Sequence, residues 1–124
     1  MSSLVLFATD ADKTAAFYRA IGVPLEDEDH GEGPIHFAAE IGPVHFAVYR
    51  TEIPSAGVTP WRGAGSDFAG FYVDSLDEAV ASVTTLGAPL LTEHQIRPWG
   101  CRVVAEDPDG RAVEINQRDH CPED

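Results

Sequence analysis

The sequence has little positive charge, few cysteines and no long apolar run. Eight Lys and Arg stand against 21 Asp and Glu in 124 residues, a formal net charge of −13. With no basic stripe to release counterions from phosphates, a nucleic-acid partner is excluded. The acidity would draw a cationic ligand, or simply keep the protein soluble. No apolar stretch precedes the helical pattern that starts near residue 10. A signal peptide, a membrane span and a membrane partner are therefore not expected, and a cytoplasmic location is. Two cysteines, Cys101 and Cys121, are too few for a disulfide framework and fit no zinc spacing. Neither a bridge between them nor a metal held by them is expected.

What is present supports one packed domain over residues 1–124. Hydrophobic residues make up 44% of the chain and aromatics 9%, enough for a real core. A shift of 65 residues lays 4–25 on 69–90 and matches Asp12 with Asp77, Ala16 with Ala81, Gly22 with Gly87, and Pro24-Leu25 with Pro89-Leu90. The physical order matters more than these identities: apolar strand, acidic cap, helix, Gly, strand, twice over. The first copy reads "LVLFATD" then "DADKTAAFYRAIG", with Thr9 or Asp10 as N-cap and Gly22 as a left-handed stop. The second reads "FAGFYVD" then "SLDEAVASVTTLG", with a Ser75/Glu78 capping box and Leu76, Val80 and Val83 on one face.

Three strand candidates follow each helix. They are 24–29, "HFAAEI" and "PVHFAVYR" in the first copy, and 88–93, "CRVVAE" and "RAVEINQ" in the second. Asp107-Pro108-Asp109-Gly110 predicts a type I turn joining the last two. The Pro- and Gly-rich stretch 51–66 reads as a linker. The chain thus divides into βαβββ modules at about 3–50 and 67–118, an α+β fold.

Alternation assigns faces. Leu4, Leu6 and Ala8, then Val44, Phe46 and Val48, then Ala69, Phe71 and Val73, then Val113 and Ile115 should lie under the helices. The opposite faces carry Ser3, Val5 and Phe7; His45, Ala47 and Tyr49; Phe68, Gly70 and Tyr72; and Ala112, Glu114 and Asn116. Such a mixed polar and aromatic surface suits a concave binding site, although a packed partner would use it as well.

Paired βαβββ halves opening "LVLFATDADKTAAFYRAIG" and closing "PWGCRVVAEDPDGRAVEI" resemble the vicinal oxygen chelate superfamily of glyoxalases, bleomycin-resistance proteins and extradiol dioxygenases. The resemblance implies a curved mixed sheet around a concave cleft, a homodimer, and metal ligands on the first and last strands of each half. Mapped here, those positions are Ser3, His45, Phe68 and Glu114. Phe68 has no donor and the Ser3 hydroxyl is a poor one, whereas a catalytic divalent ion takes three or four ligands. No cofactor is therefore expected, and His30, His36, His94 and His120 fall in contexts that do not repair the set.

His45 and Glu114 keep three readings: a hydrogen-bonded pair across the cleft, an acid/base pair for proton transfer, or a weak metal site. The first favours the binding branch of the superfamily, a metal-free protein that holds a small, cationic or aromatic molecule. The alternative is a lyase, isomerase or dioxygenase using His45 and Glu114. Phe7, Tyr49, Trp61, Phe68, Tyr72 and Trp99 are candidate stacking residues, set against ordinary core packing. Arg102, with Arg97 near Trp99, could receive an anionic group. Glu26–Asp29 reads as a solvated charged edge.

Overall fold

A computed structural model describes residues 1–28, 36–52 and 68–121. Trp61, His30 and all but the start of the 51–66 linker lie outside the described residues. The elements run β1 Ser3–Ala8, α1 Ala11–Ala20, β2 Glu26–Glu28, β3 His36–Ile41 and β4 Val44–Arg50, then β5 Ala69–Tyr72, α2 Leu76–Thr85, β6 Gln95–Arg97, β7 Gly100–Glu106 and β8 Ala112–Gln117. They form mixed four-stranded sheets ordered β1-β4-β3-β2 and β5-β8-β7-β6, so the βαβββ repeat is real. In each, the first strand lies parallel to the last and the remaining pairs are antiparallel.

The helices begin and end as their sequences require. Asp10 caps α1 by accepting from Lys13 N at 3.0 Å, and Ser75 caps α2 by accepting from Glu78 N at 3.2 Å. Thr9 is used elsewhere, donating to Asp109 Oδ1 at 3.0 Å. Both helices close with the same pair of bonds: Gly22 N to Arg19 O and Val23 N to Tyr18 O in the first, Gly87 N to Thr84 O and Ala88 N to Val83 O in the second. Gly22 at φ 99° and Gly87 at φ 87° supply the left-handed residue this stop needs.

One core serves both halves. Phe17 and Tyr18 of α1, Phe46 of β4, Leu76 and Val83 of α2, and Ile115 of β8 are all buried in a single cluster. Tyr18 touches Phe46 and Phe71, with ring centroids 5.2 and 5.7 Å apart. Each such side chain removed from water contributes about 1.5–3 kcal/mol.

The halves are also joined by a polar node. Asp107, buried in the β7–β8 turn, accepts from the Tyr18 hydroxyl at 2.7 Å, from Arg111 Nη1 at 3.2 Å, and from the backbone N–H of Asp109 and Arg111 at 2.8 and 3.0 Å. Arg111 Nη2 reaches on to Phe7 O. Burial and the Asp107 charge hold the Tyr18 hydroxyl well above its usual pKa of 10.0. The predicted turn is present, with Gly110 N bonded to Asp107 O at 3.0 Å.

Two expectations need correction. The strand placed at 88–93 is not there: Leu90 makes one isolated bridge to Ala105, and β6 lies later, at Gln95–Arg97. Pro89 has no N–H, Leu91 N and Thr92 N both turn to Val104 O, and Thr92 Oγ1 accepts from Val104 N in place of a strand carbonyl. The cysteines, expected to stay apart, form a Cys101–Cys121 disulfide with Cα atoms 6.0 Å apart. Cys101 pairs with Gln117 across the β7–β8 ladder, and the chain folds back at His120 (φ 58°) to bring Cys121 alongside.

Candidate functional site

The alternation along β1 and β5 gives the exposed faces expected of it, whereas on β4 and β8 the same face is buried at Ala47, Ala112 and Asn116 and half-buried at His45, Tyr49 and Glu114. Val5, Phe7, Phe68 and Tyr72 are exposed, with Phe7 at 55%, Phe68 at 51% and Tyr72 at 57%, while Leu6, Ala8, Val113 and Ile115 are buried beneath the helices. In the first sheet, register lines up Phe7, Tyr49 and His36 across β1, β4 and β3, with Glu28 of β2 next. The Phe7 and Tyr49 rings lie 6.0 Å apart, Tyr49 stacks on His36 at 4.2 Å, and His36 Nε2 meets Glu28 Oε2 at 2.8 Å. Sequence reasoning set His36 aside as a strand-edge residue. The alternation His36, Ala38, Glu40 along "HFAAEI" was the signal that places it on this face.

Farther along the same sheet, Ser3 and His45 are register partners, and His45 faces Glu40 across β3 and β4. His45 Nδ1 lies 2.6 Å from Glu40 Oε1, and that hydrogen bond raises the His45 pKa from 6.5. The imidazole is thereby favoured in its charged form.

In the second sheet Glu114 sits beside Gly70, and Asn116 beside Tyr72. Arg102 of β7 pairs with Asn116 in register and reaches diagonally to Glu114, its Nη1 3.3 Å from Glu114 Oε2. The two side chains are only 11% and 16% exposed, and Arg102 Nε also donates to Gln95 Oε1 at 2.8 Å. Arg102 is thus the counter-ion of Glu114 rather than an independent anion receptor. Asn116, only 8% exposed, makes no side-chain hydrogen bond among the described residues, and its Oδ1 is buried without a partner there.

The expected hydrogen bond between His45 and Glu114 is replaced by two local pairs, His45 with Glu40 and Glu114 with Arg102. The reason is proximity: a cross-strand neighbour in the same sheet is the nearer partner. Nor do the two residues occupy matching places in the halves. Glu114 adjoins Gly70, the second residue of β5, whereas His45 adjoins Ser3, the first residue of β1. Trp99 stands at the tip of the β6–β7 hairpin, 43% exposed and without a ring contact among the described residues. Tyr72 instead carries Arg118 over its ring at 3.9 Å.

The donors at the four mapped family positions are few. Ser3 offers a neutral hydroxyl, Phe68 nothing, His45 is held toward its cation by Glu40, and Glu114 is neutralised by Arg102. Among the described residues no three His, Cys, Asp or Glu side chains gather as a metal-holding group.

The profile of the family described as Glyoxalase/Bleomycin resistance protein/Dioxygenase superfamily matches residues 1–115. No curated protein sequence matches. Among solved structures, the chain is similar to a glyoxalase/bleomycin resistance protein/dioxygenase family enzyme from Burkholderia phytofirmans PsJN, with TM-score 0.71, 18% identity, and 94% and 97% of the two chains covered. It is similar to TioX from Micromonospora sp. ML1, with TM-score 0.66, 24% identity, and 94% and 96% covered. A lactoylglutathione lyase from Agrobacterium tumefaciens has TM-score 0.59 and 25% identity, with 94% and 92% covered.

Proposed function

The chain belongs to the glyoxalase/bleomycin resistance protein/dioxygenase superfamily, and from that premise we propose that it binds a small, flat organic molecule without a metal. The ligand lies in a cleft bounded by the open sheet faces. The observation that carries this reading is the exposure of Phe7, Phe68 and Tyr72 on strand faces whose reverse sides form the core. Large rings this exposed beside polar side chains mark a recognition surface. Glu114 is matched by Arg102, so attraction for a cation rests on the net charge of −13 and on the aromatic faces. An enzyme working through His45 and Glu114 would first have to part each from its present partner.

A thermal-shift screen of planar cations and planar neutral compounds tests the proposal. Binders should raise the melting temperature, and Tyr72→Ala and Phe7→Ala should weaken them about tenfold each, the scale of one lost aromatic contact. Binding that both variants leave intact would overturn it. The resemblance also carries a homodimer, which we propose here. Light scattering that gives the 13.4 kDa of a single chain at binding concentrations would refute the pairing.

A further inference from the structure

Asn116 poses a chemical problem. It lies in β8, a strand flanked on both sides, where an apolar residue would pack without penalty. Instead the chain places a carboxamide there, with Oδ1 enclosed without a partner and Nδ2 making no hydrogen bond among the described residues. The Nδ2 donor, which is not enclosed, is open to an acceptor from outside the chain.

Gly70 shows where that partner would sit. A glycine inside a strand weakens it and often marks the close approach of another molecule. A Cβ built on Gly70 would lie 3.4 Å from Asn116 Nδ2 and 3.5 Å from Glu114 Oε1. Glu114 binds Arg102 through the other oxygen, Oε2, and Oε1 makes no hydrogen bond among the described residues. Over Gly70, then, a donor and an acceptor stand side by side. Tyr72, two residues on, shares Gly70's face of β5 and carries Arg118 over its ring, and Phe68, just before the strand, is also exposed.

We propose that Gly70, Asn116 and Glu114 form a specificity site for a planar ligand that carries a carbonyl next to an N–H, as in a lactam, ureide or related heterocycle. Asn116 Nδ2 donates to the carbonyl and Glu114 Oε1 accepts from the N–H, while Phe68 and Tyr72 bound the ring plane. Arg102 holds the second Glu114 oxygen, Oε2. This deepens the flat-ligand reading above and rests on it.

Calorimetry with three probes separates the two ideas: carbostyril, which has the lactam edge, N-methylcarbostyril, which keeps the carbonyl and the ring, and quinoline, which keeps the ring system alone. Carbostyril should bind about tenfold more tightly than its N-methyl derivative, the effect of one hydrogen bond to a charged acceptor. Gly70→Ala, which fills the gap, should bring carbostyril to within about twofold of quinoline, and Asn116→Leu, which removes the donor alone, should weaken carbostyril about tenfold. Circular dichroism confirms that the variants fold, and Gly70→Ala introduces only ordinary contact distances. Equal binding of the three probes, or a lactam preference that survives both variants, overturns the specificity site and leaves flat-ligand binding standing. Binding of none of the probes overturns both.

Discussion

His45 and Glu40 face each other across β3 and β4, and their 2.6 Å contact makes the histidine a stronger base than a free imidazole. Because its folded pKa is raised, the pair's contribution to stability is complete below the unfolded value near 6.5 and is lost as pH rises through the folded value. Glu40→Gln should bring the imidazole titration, followed by proton NMR, down toward 6.5. Tyr18 presents the opposite setting, a hydroxyl sealed in the core against a carboxylate. Tyr18→Phe leaves Asp107 with one donor fewer and should lower stability in urea by about 1–3 kcal/mol. At this scale the sequence revealed directions but not partners. Alternation along "RAVEINQ" turned Glu114 toward the open face, as found. That Arg102 would be its counter-ion depended on the β7–β8 register, and no spacing rule links residues 102 and 114. Asn116 was assigned to that face as well, but its missing partner becomes visible only once the neighbouring strands are in place.

Among the elements, the β7–β8 hairpin is the most constrained. Gly100 opens β7 at φ 151°, and a Cβ there would lie 2.0 Å from Gln117 O. Gly100→Ala must therefore force the strand ends apart. It should destabilise the protein by more than the about 1–2 kcal/mol of a left-handed strain alone, with Gly87→Ala, which meets nothing within 4 Å, as the reference in the same denaturation series. The same hairpin end bears the disulfide, which joins residues 20 apart. Reduction with dithiothreitol should lower unfolding stability by about 2–4 kcal/mol, and a Cys101→Ser, Cys121→Ser protein should no longer respond to the reductant. Helices, caps and the Asp-Pro-Asp-Gly turn were readable because their determinants are local. The bridge was not, since it required Cys101 to be opposite Gln117 with four residues left for the return. The sixth strand was misplaced for a related reason: Thr92 substitutes its side chain for backbone pairing, and apolar residues at 90 and 91 look like strand without forming one.

Across the whole molecule, the 65-residue repeat disclosed the architecture because the two halves solve one folding problem with the same sequence of parts. Their shared core and the join between them belong to neither half and had no counterpart in the repeat. Tyr18 aligns with Val83, both buried. The first half's β3–β4 connection is just Gly42-Pro43, whereas the second half's runs from Asp107 to Arg111 and carries the buried carboxylate. If the chain arose by duplication, its copies have since divided the labour of holding together, one supplying the hydroxyl and the other the acid. A protein assembled from two first halves would seal a phenol in its core with no acid to receive it, and one made of two second halves would bury an acid lacking its phenol. The copies have become heterotypic partners, bound to remain in one pairing.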